Sequence, residues 1–215
     1  MLLVSLVEMK KSLLVLFFSL TVHNSSAQGI NNLWLLGYNG SSGIPWGGTN
    51  IDFSSGSPVI SYVNRSMNFS TSNGVISDSN GNLLFYTNGV YIANAQNDTM
   101  LNGGGLNPSS YTTSYGYLHG LSIAQGDLII PFPNDSTKYY LFHLTIDNGG
   151  ALTYYFYYSI IDMTLDNGLG GVISKNNILL SDALIPGAVT ANMRMEEIGG
   201  CYVISPEQTG ILNFL

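Results

Sequence analysis

Few side chains in these 215 residues could do chemistry. Asp78, Asn80 and Asn82, within Asp78-Ser79-Asn80-Gly81-Asn82, place oxygens at alternating positions, as calcium-binding loops do. A complete loop of that kind also needs Gly at its sixth position and Glu at its twelfth, and Leu83 and Asn88 fall about there. The Asn-Gly pair tolerates the positive φ angles of a tight hairpin turn, so a turn is the leading expectation. No cofactor is therefore expected, with calcium at Asp78, Asn80 and Asn82 as the alternative. Asp166-Asn167-Gly168 reads as another turn.

Glycoside hydrolysis needs two carboxylates at a fixed separation across the bond. Asp127, Asp162, Glu196 and Glu197 are available, but no spacing pairs any two of them. His119 and His143 share no metal-ligand spacing with each other or with Cys201, the single cysteine. His143 lies inside an apolar run and reads as a packed residue with one nitrogen satisfied. Cys201 reads as a buried thiol, since it lacks the basic neighbours that make a thiol reactive. A nucleophile elbow of the form Gly-x-Ser-x-Gly is missing. Aromatic rings offer a different chemistry. Trp46, Tyr111, Tyr115 and Tyr117 sit in Gly- and Ser-rich loops, where they could stack on the apolar face of a sugar.

The elements that must position these residues are strands. Leu83-Leu84-Phe85-Tyr86, Leu128-Ile129-Ile130 and Tyr154-Tyr155-Phe156-Tyr157-Tyr158 do not alternate apolar with polar. A sheet with one wet face would place a polar residue at every second position. Both faces of these strands are therefore expected to be covered. Strands are also expected at 33–36, 50–53, 58–62, 75–77, 90–93, 139–144, 171–180, 189–195 and 201–205, and 207–215 reads as a turn followed by a last strand. Residues 94–121 read as a long, weakly structured loop. Three hairpins repeat one grammar, with turns near residues 80, 135 and 198. Such recurrence fits propeller blades stretched by loops. The fold expected is all-β, a partial β-propeller of antiparallel blades. A two-sheet β-sandwich is the alternative, and its one wet face per strand suits the 154–158 run poorly.

Residues 1–27 read as a signal peptide. Met9-Lys10-Lys11 gives a positive start, Ser12 to Val22 an apolar stretch, and Ser25 and Ala27 the small side chains that precede cleavage. The stretch is shorter than the ~20 residues of a membrane span, so no membrane insertion is expected after cleavage. The remaining domain, 28–215, keeps Arg65, Lys138, Lys175 and Arg194 as its only basic residues, in a chain whose net charge is −7. That balance disfavours nucleic acid as a partner.

Asn32-Leu33-Trp34-Leu35-Leu36-Gly37, Ile51-Asp52-Phe53-Ser54-Ser55-Gly56 and the run from Ile76 through Asn80-Gly81-Asn82 to Asn88-Gly89 occur in a particular order. Met100-Leu101-Asn102-Gly103-Gly104-Gly105-Leu106, Gln125-Gly126 and Ser26-Ala27-Gln28 extend it. The order resembles the N-terminal propeller-like region of large exported proteins of Bacteroidetes-type bacteria. Those proteins often end in a type IX secretion sorting domain, which this sequence lacks, as a fragment incomplete at its C-terminus would. The resemblance implies a fold and export rather than a reaction, and O-linked modification at Asp98-Thr99-Met100. The expectation is a secreted or cell-surface, non-catalytic binding or scaffold module whose partner is a protein or a glycan. The alternative is a propeller-fold secreted glycan hydrolase or lyase.

Overall fold

The computed structural model describes residues 29–44, 46–147, 152–184, 186, 187, 189–193, 201–204 and 211–214. Residues 1–27, expected to be a signal peptide, and the turn expected near residue 198 lie outside them. The fold is all-β and antiparallel, and four sheets follow one another along the chain. The first holds β1 (Leu33–Gly37), β2 (Gly48–Asp52) and β3 (Val59–Val63). The second holds β4 (Gly74–Ser77), β5 (Leu83–Thr87) and β6 (Ile92–Asn94). The third holds β7 (Asp127–Phe132), β8 (Asp135–Leu144), β9 (Thr153–Asp162) and β10 (Gly171–Leu184). The fourth holds β11 (Thr190–Met193), β12 (Cys201–Ile204) and β13 (Ile211–Phe214). Strands within each sheet stand in chain order, so every sheet is a simple meander. No sheet closes on itself among the described residues.

The β4–β5 hairpin shows why the turn residues are what they are. Asp78 Oδ1 accepts the backbone N–H groups of Asn80 and Asn82, each at 2.8 Å, and its Oδ2 accepts Asn82 Nδ2 at 2.9 Å. Gly81 sits at φ +87°, a conformation that costs other residues. These bonds hold the Asp78 carboxyl below its ordinary value, the Asn82 amide contributing most.

The first three sheets stack in layers. Leu33 and Leu35 of the first meet Val75, Tyr86 and Ala93 of the second, with Met67 and Phe69 filling in. The second sheet's other face gives Ile76, Phe85 and Ile92 to a core shared with Tyr139, Leu141 and Ile161 of the third. Phe85 and Tyr139 meet edge to face there, 5.5 Å apart at 78°. The third sheet's far face carries Phe142, Leu144 and Phe156, covered by Leu121, Ile123 and Val189. The middle strands therefore have no wet face, as their lack of alternation demands. Phe156 is wholly buried and Tyr157 nearly so, while Tyr154, at the strand's start, is 41% exposed. The first sheet differs, because its outer face leaves Trp34, Leu36, Ile60 and Tyr62 exposed.

First strands of successive sheets lie side by side, β1 against β4 and β4 against β7. Gly74 permits the second approach. A Cβ there would lie 3.1 Å from Thr87 Cγ2 and 3.4 Å from Asp127 Cβ.

Residues 94–121 depart from the expectation of a weak loop. Met100, Leu106 and Leu121 are buried to 1% or less. The segment also forms a short helix, with π geometry over Thr112–Gly116 and α geometry over Tyr117–His119. Its apolar residues stand singly or in pairs among Gly, Ser and Asn, so they form no long run. Met100 and Leu106 nevertheless join the core between the second and third sheets, and Leu121 covers the third sheet's far face.

Candidate functional site

The four aromatic residues proposed for binding separate in space. Tyr111, Tyr115 and His119 stack along one side of the short helix, with ring centres 5.3 Å and 4.7 Å apart. Tyr111 packs its inner side against the core under the third sheet. Tyr117 lies two residues from Tyr115 and turns the other way into a cleft, still 71% exposed. Trp46 is 69% exposed on the 43–47 loop and does not line that cleft.

The cleft has a volume of about 450 Å³, within the roughly 300–1,000 Å³ common to small-ligand sites. Its walls come from segments distant in sequence: residues 39, 66 and 68, residues 88, 90 and 91, residues 99, 104 and 105, and residues 117 and 118. No charged side chain lines it among the described residues. The amides that look most suited to binding are already engaged. Asn68 Oδ1 accepts the Asn39 backbone N–H at 2.7 Å, and its Nδ2 donates to Leu118 O at 2.7 Å. Asn88 Nδ2 donates to Asn68 O at 2.9 Å, while Asn88 Oδ1 accepts the Val90 N–H at 3.1 Å. These bonds tie the helix and three loops into one floor. The 102–105 rim is held by β10. Lys175 Nζ donates to Asn102 O at 3.0 Å and also to Gly104 O, and Asn176 Nδ2 donates to Gly105 O at 2.9 Å.

The groups left open are mostly hydroxyls. Ser66 Oγ, Thr99 Oγ1, the phenols of Tyr91 and Tyr117, and Asn39 Nδ2 make no hydrogen bond among the described residues. Burial raises the Tyr91 phenol above its ordinary pKa, and the neighbouring Tyr117 phenol adds to this. Both residues line the cleft.

A second hollow of about 470 Å³ follows β1 and reaches Asn73 and Val75. One strand supplies most of its wall, so it offers less convergent polar chemistry than the cleft.

The acidic candidates stay apart. Asp127 pairs with His143 across the β7–β8 ladder, whereas Asp162 pairs with Lys138 across β8–β9. His143 and Lys138 are five residues apart on one strand, which separates the two carboxylates by roughly 17 Å. Glycosidase pairs sit within about 10 Å. Asp162 caps its own turn through the N–H of Thr164 at 2.9 Å. Asp127 is unusual. The residue is partly accessible, but its Oδ2 is buried and has no hydrogen-bond partner among the described residues. Burial pushes this carboxyl up to about 7.

His143 is wholly buried, with both nitrogens satisfied rather than one. Asn107 donates its Nδ2 to Gly89 O at 2.9 Å, which turns its Oδ1 toward His143 Nδ1 at 2.7 Å. That oxygen can only accept, so Nδ1 carries the proton. Nε2 then accepts from Ser159 Oγ at 2.9 Å, and Ser159 Oγ accepts the Asn176 N–H at 3.1 Å. Burial lowers this imidazole to about 3, so it is neutral in the fold.

Asp78, Asn80 and Asn82 come together as expected, but the Asp78 carboxylate spends its oxygens on the turn itself. No group of three or more His, Cys, Asp or Glu side chains gathers among the described residues. Arg65 is a feature the sequence did not mark. Its guanidinium is buried above Phe69, 5.7 Å from the ring centre, and reaches Thr49 O at 2.9 Å and Asn50 Oδ1 at 2.8 Å.

No family model, curated protein or solved structure matches this chain. No helix among the described residues is long and apolar enough to cross a membrane.

Proposed function

We propose that this chain is an exported, non-catalytic binding module. Its sheets are the blades of a partial β-propeller, and its ligand seat is the uncharged cleft lined by residues 39, 66, 68, 88, 90, 91, 99, 104, 105, 117 and 118. The cleft carries the reading. A braced floor and rim present open hydroxyls beside an exposed ring, which favours holding a ligand in a pre-set geometry. The blade reading draws support from the stack of meanders and from the neighbouring first strands of successive sheets. Export draws support from residues 1–27. The motif order from Asn32 to Gly89 supports kinship with the N-terminal region of Bacteroidetes-type exported proteins.

The test is adsorption of the protein to extracellular material, such as cell envelopes and matrix polymers, before and after filling the cleft. Ser66→Trp puts an indole into the cleft from an exposed position. Adsorption is expected to disappear in this variant while its thermal transition stays in place. Equal adsorption by both proteins would remove the cleft as the seat.

A further inference from the structure

Building on that reading, we infer that the cleft takes a neutral saccharide. Three features converge on this class. First, no charged side chain among the described residues lines the cleft, and Lys175 Nζ, at its rim, is already bonded to Asn102 O and Gly104 O, which leaves a carboxylate, phosphate or ammonium group on a ligand little to offset its desolvation. Second, the open groups are four hydroxyls and one amide N–H₂. A hydroxyl both donates and accepts, so four of them suit a ligand whose own rim is made of hydroxyls. Third, Tyr117 presents an exposed ring at the mouth, where one face of a pyranose, lined with C–H groups, can lie against it. Tyr91 is the less exposed of the two and lines the same cleft, so both phenols are available to hydroxyls of a bound sugar.

The arrangement also explains how the side chains divide their roles. Asn68 and Asn88 are bonded to backbone, so they brace the cleft rather than contact the ligand. The bonds from Lys175 and Asn176 tie the backbone of the 102–105 rim to β10. Tyr117 and Ser66 are the specific contacts that can be changed without touching these braces.

Affinity electrophoresis of the full-length protein tests the inference. The gels contain glucomannan, xyloglucan, xylan or amylose as neutral polymers, and polygalacturonate as an anionic control. At least one neutral polymer should slow the protein, and polygalacturonate should not slow it more. Tyr117→Ala should weaken the apparent affinity at least about tenfold by removing the stacking ring, and Tyr117→Phe about threefold by removing one hydroxyl. Ser66→Trp should abolish retardation. Thermal melts confirm that each variant is folded, which the exposure of Tyr117 favours. Retardation by none of the neutral polymers, or a preference for polygalacturonate, overturns the saccharide assignment. If Ser66→Trp still loses adsorption to extracellular material in that case, the binding module stands and only the ligand class falls. Retardation that survives Ser66→Trp places the sugar elsewhere and overturns the inference.

Discussion

Replacing Asp127 by Asn should change how stability depends on pH. The Asp127 carboxyl has an ordinary value of 3.8 and sits at about 7 in the fold because of burial. The folded state therefore holds a proton that the unfolded chain has already released. The stability this contributes is complete below pH 3.8 and is lost as pH rises to 7. At about 1.4 kcal/mol per pH unit, the full change is on the order of 4 kcal/mol. His143 acts in the opposite direction. Its ordinary value of 6.5 drops to about 3, so its contribution is complete above pH 6.5 and is lost as pH falls. Between about pH 4 and 6.5 the two slopes oppose each other, and the natural protein should show a nearly flat profile there. Asp127→Asn removes the falling slope and unmasks the histidine. Urea unfolding at pH 4.5, 6 and 8 should then show a variant whose stability climbs from pH 4.5 to 6. At pH 8 it should exceed the natural protein by up to about 4 kcal/mol. Parallel profiles for the two proteins would refute the reasoning, because they would mean that Asp127 is ionised in the fold at little cost.

Leu121→Ala should cost about 2–5 kcal/mol in urea unfolding, as at any core leucine, because this end of the 94–121 segment covers the third sheet's far face; a loss below about 1 kcal/mol would mean that it is only draped over the surface. Phe85→Ala should cost about 3–5 kcal/mol, since it removes the ring that meets Tyr139 between two sheets. Gly81→Ala should cost about 1 kcal/mol through its positive φ, read as a lower thermal midpoint. Adding calcium and then a chelator should leave the thermal midpoint unchanged, because donors within the turn occupy the Asp78 carboxylate. A calcium-dependent rise would show that the turn reopens to take the ion.

Most strands were legible because each apolar run is bracketed by Gly, Asn or Asp. The second and third sheets follow the reading closely, and their double burial was visible in residues 83–86 and 154–158. Buried residues between the runs were not. Met100, Leu106 and Leu121 stand singly or in a pair among small polar residues, and no local periodicity marks a side chain that joins a core built by distant strands. The cleft was legible only through Tyr117. Tyr111 and Tyr115 share its loop, but helical spacing turns them to another face, a distinction that a loop reading cannot make. Asn68 and Asn88 illustrate the same limit, since composition shows an amide but not whether its bonds are already used. Asp127 opens a strand, where solvent contact is ordinary, and its burial comes from the close passage of β4 at Gly74.

Every sheet pairs only strands adjacent in the chain, so each ribbon can zip up without waiting for a remote partner. Loop-closure cost is low for such contacts, and assembly can proceed in instalments, each finished ribbon offering a greasy flank to the next. A chain threaded through a pore from its leading end could recover its shape in the order in which it emerges.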